Sequence, residues 1–267
     1  MKIIVPIKQV PETSQVRINE ETGTVIREGV ENIINPLDLY AIELAIQLRE
    51  DQGGSISVIS MGPVKAETAL REAIAMGADE ALLLSGREFA GSDTWVTAYA
   101  LAALIRKIQP YDLIITGERA TDGDTGQVGP GIASFLDIPL STYTRKIERI
   151  HDRQIIVQRF IEEGYETLQL PLPALLTVVK EISYPRLPTL RGKQKARTMD
   201  VPVYSGKDIG MTEKELGLEG SPTRVIKIYR PQVTRKGKLF LVKDDQSLAE
   251  SVDRLISFLK EKKIVSF

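Results

Sequence analysis

The residues best suited to chemistry lie in one run, Asp122-Gly123-Asp124-Thr125-Gly126-Gln127-Val128-Gly129. Its glycines permit positive backbone angles and let a ligand approach the main chain closely. A helix beginning near Thr125 presents unpaired N–H groups and the positive end of its dipole, which suits phosphate. Thr125 and Gln127 add neutral donors. A carboxylate repels phosphate, so Asp122 and Asp124 suit ribose hydroxyls, an adenine amino group or the loop's own amides. The same pattern also describes a helix N-cap and turn with no ligand.

Other chemistries lack their residues. The chain has no cysteine, which removes disulfides, thiolate metal sites, cysteine nucleophiles and cysteine-held iron–sulfur clusters. Moving electrons would therefore require a bound organic cofactor. Neither Gly-x-Gly-x-x-Gly after the first strand nor Gly-x-x-x-x-Gly-Lys-Ser/Thr occurs, against Rossmann dehydrogenases and P-loop enzymes. The one histidine, His151, falls in a predicted turn between surface strands, where a solvated residue is expected rather than a base. Glu162-Glu163 reads as a charged hairpin turn, and no serine has the setting of a nucleophile elbow. No catalytic residue and no metal ligand is assigned.

The apolar pattern supplies the scaffold. Residues 2–10 form a short run suited to a buried parallel strand. Residues 16–27 suggest a hairpin with its turn at 20–23. Asn35-Pro36 opens a helix, with Asn35 as N-cap and Leu37, Ala41, Leu44, Ala45 and Leu48 on one face. Strands at 55–61, 81–84 and 113–116 alternate with helices that end at Gly77, at 109 and at Leu136. This order predicts an α/β fold: a mostly parallel twisted sheet with helices on both faces. Ligands bind such sheets at the carboxyl ends of the strands. Those ends are Pro6 to Lys8, Met61-Gly62-Pro63, Gly117 and the glycine-rich loop.

After Pro139 the pattern becomes antiparallel, an insertion over about 143–170, before residues 174–178 return to the main sheet. Residues 185–202 are basic, proline-punctuated and offer little core. Residues 205–222 read as loop and short helix, 225–229 as a short strand and 247–263 as an amphipathic helix. Two parts follow: an α/β domain over 1–184 and an arm over 185–267 that reaches a partner. With 35 basic and 36 acidic side chains, nothing draws the chain to nucleic acid or an anionic membrane. The opening apolar run is too short for a signal peptide, and no segment approaches the ~18 apolar residues of a membrane span. A cytoplasmic location without membrane insertion is expected.

Ordered pieces of the chain resemble the electron transfer flavoprotein beta-subunit family. They are Val5-Pro6-Ile7-Lys8, Asn35-Pro36 with Glu43, Ser60-Met61-Gly62-Pro63, Ala75-Met76-Gly77-Ala78-Asp79, residues 117–129, Leu172-Pro173-Ala174-Leu175-Leu176-Thr177-Val178, and Pro185-Arg186 before the basic stretch 193–197. The resemblance implies a nucleotide-binding domain of the adenine nucleotide alpha-hydrolase-like, Rossmann-like kind, paired with a larger alpha subunit that holds an electron-carrying FAD. It assigns the nucleotide site to Pro6, Ile7, Asn35, Asp38, Ser60, Met61, Gly117, Ala120, Thr121, Asp122, Gly123, Asp124, Thr125, Gly126, Gln127 and Val128.

In the housekeeping branch this site holds AMP; in the electron-bifurcating branch it holds a second FAD, reduced by NADH. Housekeeping relatives tend to carry an acidic residue, an asparagine and a threonine where Gly123, Gly126 and Val128 stand. The pattern therefore resembles the bifurcating type, an electron carrier rather than a self-sufficient enzyme. Residues 186–190 match the family's recognition loop, whose leucine, here Leu190, docks into partner dehydrogenases; Arg191 stands where some relatives have proline. A dehydrogenase or a quinone- or ferredoxin-linked oxidoreductase is the implied redox partner. Two other readings stand beside this one. A stand-alone adenine-nucleotide sensor of the universal-stress type leaves residues 186–267 unexplained, and an ATP-cleaving synthetase would need a Ser-Gly-Gly-type loop where Pro6-Ile7-Lys8-Gln9 stands.

Overall fold

The computed structural model describes residues 1–12, 17–18, 25–26, 31–226, 237 and 239–265. The chain opens with β1 (Lys2–Pro6), β2 (Gln9–Pro11), β3 (Arg17–Ile18), β4 (Val25–Ile26) and β5 (Asn32–Ile34). There follow α1 (Pro36–Gln52), β6 (Ser55–Met61), α2 (Glu67–Met76), β7 (Glu80–Leu84), α3 (Thr94–Lys107), β8 (Leu113–Gly117) and α4 (Val128–Leu136). Next come β9 (Leu140–His151), β10 (Gln154–Ile161), β11 (Gly164–Pro171), β12 (Ala174–Val178), α5 (Leu190–Thr198), β13 (Val203–Tyr204) and α6 (Gly217–Gly220). These belong to one compact unit, Met1–Lys227; a second, Ile228–Phe267, contains α7 (Asp245–Glu261).

Nine strands form the main sheet in the order β11-β10-β9-β12-β8-β1-β6-β7-β13. From β12 to β13 all neighbours are parallel, while β9, β10 and β11 pair antiparallel. β9 belongs to both regions, because its start runs parallel to β12 and its body antiparallel to β10. Alternation along each strand divides the core. Ile3, Val5 and Ile7 join Ile42, Leu70 and Ile74 of α1 and α2, whereas Ile4 joins Leu101, Leu104 and Ile132 of α3 and α4. With both faces covered, β12 is buried along its whole length, and its sequence is apolar but for Thr177.

The strand–helix order matches the expectation, and the β3–β4 pairing, Arg17 opposite Ile26, bears out the early hairpin. Its expected turn at 20–23 lies outside the described residues, as do 227–229 of the strand expected at 225–229; residues 225 and 226 are not in a strand. Two expectations are corrected. The helix expected from Thr125 begins at Val128, because Asp124 (φ 55) and Gly126 (φ 62) hold backbone angles that a right-handed helix cannot propagate. The stretch 185–202, expected to offer little core, contains α5 and places Ala196 and Val201 in the α1–α2 core. α5 is almost wholly polar, so apolar periodicity gave no sign of it. Its start is fixed by the Thr189 side chain, which accepts from the Gly192 amide at 2.9 Å.

No described helix is long and apolar enough to cross a membrane. No residue of α7 is buried, and Leu248, Val252, Leu255 and Phe258 are exposed along it.

Candidate functional site

Three adjacent strands, β8, β1 and β6, bring their carboxyl ends side by side. Gly117, Pro6 with Ile7, and Ser60 with Met61 therefore lie along one edge, with the Ile7 amide donating to the Ile59 carbonyl at 2.8 Å. Loop 118–127 leaves that edge for α4, and Asn35 holds it. The buried Asn35 side chain donates from Nδ2 to the Arg119 carbonyl (2.9 Å) and accepts at Oδ1 from the Thr121 amide (3.1 Å). Asn35 stands at the N-cap position of α1, as expected, but its side chain makes no capping bond. It ties loop 118–127 to the helix start.

Asp38 lies one turn further on and is buried. Its Oδ2 accepts from the Lys8 amide at 2.8 Å, joining the end of β1 to α1. At Gly117 an added Cβ would stand 2.5 Å from Asp38 Oδ1 and 2.9 Å from the Leu37 carbonyl oxygen, so only glycine lets β8 end there. Burial pushes the Asp38 carboxyl up to about 7, against the lowering pull of hydrogen bonds from the Lys8 amide, the Asn35 side chain and the Gly117 amide. The folded chain thus keeps a proton that the unfolded chain releases above the ordinary value of 3.8. That contribution to stability is full below 3.8 and lost as pH rises through about 7. Urea unfolding at pH 5 and pH 8 is expected to show a loss on the order of 2–4 kcal/mol from this group, absent in Asp38→Asn. Equal slopes in the two proteins would contradict it.

The loop's carboxylates have found cations. Asp122 pairs with Lys8 Nζ at 2.7 Å and Asp124 with Arg119 Nε at 3.0 Å. Each carboxylate keeps further lone pairs with which it can accept hydrogen bonds. Gln127 accepts at Oε1 from the Thr94 hydroxyl at 2.8 Å, leaving its Nε2 donors available, and the Asp124 amide closes the loop on the Ala120 carbonyl. At Gly123 nothing stands within 4 Å of the place a Cβ would occupy. Two buried hydroxyls, Ser60 Oγ and Thr116 Oγ1, have no hydrogen-bond partner among the described residues. Ser60 lies on the strand face of Ile56 and Val58, toward α1 and α2; Thr116 shares the face of Ile114, toward α3 and α4. Each unmatched hydroxyl costs roughly 1–3 kcal/mol. That deficit at the strand ends is suited to a polar ligand.

An electron transfer flavoprotein domain profile matches residues 22–208. The chain belongs to the electron transfer flavoprotein family. It is 50 % identical over 258 residues to the electron transfer flavoprotein subunit beta of Thermoanaerobacterium thermosaccharolyticum, covering 96 % of this chain and 98 % of that one. It is 43 % identical to the caffeyl-CoA reductase-Etf complex subunit CarD of Acetobacterium woodii, across 99 % of this chain and all of the relative. To protein FixA of Azorhizobium caulinodans it is 42 % identical, across 96 % and 93 %. Membership carries a role in flavin-linked electron transfer. It also disposes of the stand-alone sensor, since these matches run through the segment that reading left unexplained.

Of the expected site residues, those at the strand ends, at the start of α1 and in loop 118–127 are brought together; Val128 begins α4. Leu190 is elsewhere, 87 % exposed at the start of α5. Sequence reasoning missed Arg119 and Thr94 and gave the Lys8 side chain no part. Two of these had a signal: Lys8 and Arg119 each lie just past a strand's carboxyl end. Glu162 and Glu163 form the turn between β10 and β11, as expected. His151 instead ends β9, half-buried, with Nδ1 3.3 Å from Asp152.

Proposed function

We propose that the carboxyl edge of the sheet holds FAD, and that the chain passes electrons between a dehydrogenase and an acceptor as the beta subunit of an alpha–beta pair. The observation that carries this reading is the open approach at Gly123, in a loop tethered by Asn35. AMP asks for an adenosine pocket and one phosphate; FAD also needs a path for a second phosphate and room for the flavin. Gly123 leaves that path clear. The unmatched Ser60 hydroxyl offers a buried polar contact, and Lys8 and Arg119 offset the charge of Asp122 and Asp124 at the rim. When bound, the flavin supplies reversible electron transfer with NADH as donor. Pro6, Ile7, Asn35, Asp38, Met61, Gly117 and residues 120–128 bind and orient it.

In this reading the exposed apolar residues of α7 meet the alpha subunit. Cofactor release from the purified alpha–beta complex, followed by chromatography, tests the assignment. Two FAD per pair agrees with it, whereas one FAD and one AMP would leave a single-flavin carrier with AMP at this site.

Leu190 is the proposed docking residue for the dehydrogenase. A leucine buried at an interface contributes roughly 1.5–3 kcal/mol by area. Leu190→Ala is thus expected to raise the KM for the partner about tenfold or more, with assembly and nucleotide content unchanged. Unaltered turnover at low partner concentration would remove Leu190 from the interface.

A further inference from the structure

Between Ser183 and Met199 the chain alternates between residues bolted to the body and large apolar residues left in solvent. Tyr184, Leu187 and Leu190 are 94 %, 86 % and 87 % exposed. Around them, the Ser183 hydroxyl donates to the Tyr40 carbonyl at 3.0 Å and the Thr189 amide to the Ala75 carbonyl at 3.3 Å. Gly192 lies so close to α2 that a Cβ would stand 2.0 Å from the Ala75 carbonyl oxygen. Lys195 reaches the Ala78 carbonyl at 2.9 Å, and Arg71 of α2 donates to the Ala196 and Met199 carbonyls.

The strongest of these ties is Arg186. Its Nε and backbone amide donate to Glu43 Oε2 (2.8 and 3.1 Å), and Nη2 donates to Glu43 Oε1 (3.0 Å). Its other side reaches Glu50, with Nη1 to Oε1 at 2.6 Å and Nη2 to Oε2 at 3.0 Å. Glu43 is only 3 % exposed, and its one other partner among the described residues is Gln47. A carboxylate buried on a helix is strongly unfavourable without a partner of matching geometry. The planar guanidinium fork provides that match, and a lysine cannot. Burial alone would raise the Glu43 carboxyl, yet the hydrogen bonds from Arg186 and Gln47 hold it below the usual range.

We propose that Arg186 is the positioning residue of the docking segment: clamped on Glu43 and Glu50, it holds the backbone so that Leu187 and Leu190 stand ready for the partner dehydrogenase. The inference rests on the reading of Leu190 as the docking residue. Apolar side chains already fixed in place lose less freedom on binding than a loose loop would. α1 also carries Asn35 and Asp38 at its start, so one helix fixes both the nucleotide loop and the docking segment. Eight residues of helix, about 12 Å, separate Asn35 from Glu43.

The test uses the alpha–beta complex and a partner dehydrogenase with which the wild type turns over. Arg186→Gln is expected to raise the KM for that partner about tenfold, with kcat at saturation and flavin content unchanged, and to speed amide exchange across 186–192. Arg186→Lys keeps the charge but not the fork, and is expected to recover only part of the loss. Full recovery by lysine would replace positioning by simple charge and overturn the proposal. So would an unchanged KM in Arg186→Gln while Leu190→Ala raises it, which leaves the docking reading intact. An unchanged KM in both variants overturns the docking reading and the clamp together. If Arg186→Gln does not assemble, Glu50→Gln decides, because it removes only the exposed arm of the clamp: a several-fold rise in KM is required.

Discussion

Replacing Gly123 with aspartate is expected to empty the nucleotide site of this subunit while leaving the protein folded. The two effects separate because of the local geometry. No protein atom lies within 4 Å of the position a Cβ would take, so the new side chain meets no clash within the chain. What it would meet is the proposed ligand. A carboxylate in that opening faces phosphate or isoalloxazine oxygens, where like charge and bulk both oppose binding. A penalty of ~3 kcal/mol or more weakens binding on the order of 100-fold. Cofactor release should then recover only the alpha-subunit flavin, with heterodimer assembly and circular dichroism unchanged. A Gly123→Asp complex that retained two flavins would place the ligand away from this loop.

Asn35→Leu is expected to act on the same site by the opposite route, through the protein. Leucine fills a similar volume but can neither donate to the Arg119 carbonyl nor accept from the Thr121 amide. Leaving buried polar groups unmatched costs roughly 1–3 kcal/mol each. Loop 118–127 would lose its tether to α1, and nucleotide affinity should fall about 30-fold or more. Unlike Gly123→Asp, this variant should also melt at a lower temperature and exchange the amides of 119–121 faster. Full affinity with unchanged exchange at those amides would mean that the loop is held by something other than Asn35.

Much of the fold was legible because its signals are local. β6 is legible at its full extent, 55–61, because Ile56, Val58, Ile59 and Met61 lie among small serines between the turn residues Gly53-Gly54 and Gly62-Pro63. The start of α1 was legible from Asn35-Pro36, and the end of α2 from Gly77, which closes the helix at φ 142. α5 was not legible. It has a single buried side chain, Ala196, and is held by bonds from α2 that no periodicity in its own residues records. α4 starts at Val128, three residues past the expected Thr125, because positive backbone angles at Asp124 and Gly126 delay it.

The sequence by itself determined the family, the strand–helix alternation and the glycine-rich loop that follows β8. Those properties reside in neighbouring residues: apolar spacing, glycine where the chain must turn, and carboxylates beside them. Only the tertiary structure decided what the polar side chains do. Lys8 meets Asp122 across 114 positions, Asn35 reaches Arg119 and Thr121 across 84 and 86, and Arg186 grips Glu43 across 143. Hydrogen bonds and ion pairs act over about 3 Å, so their partners are fixed by which strand ends and helix turns the fold brings together. Burial, likewise a property of the assembled layers, is what leaves Asp38 as a carboxyl that holds its proton near neutral pH.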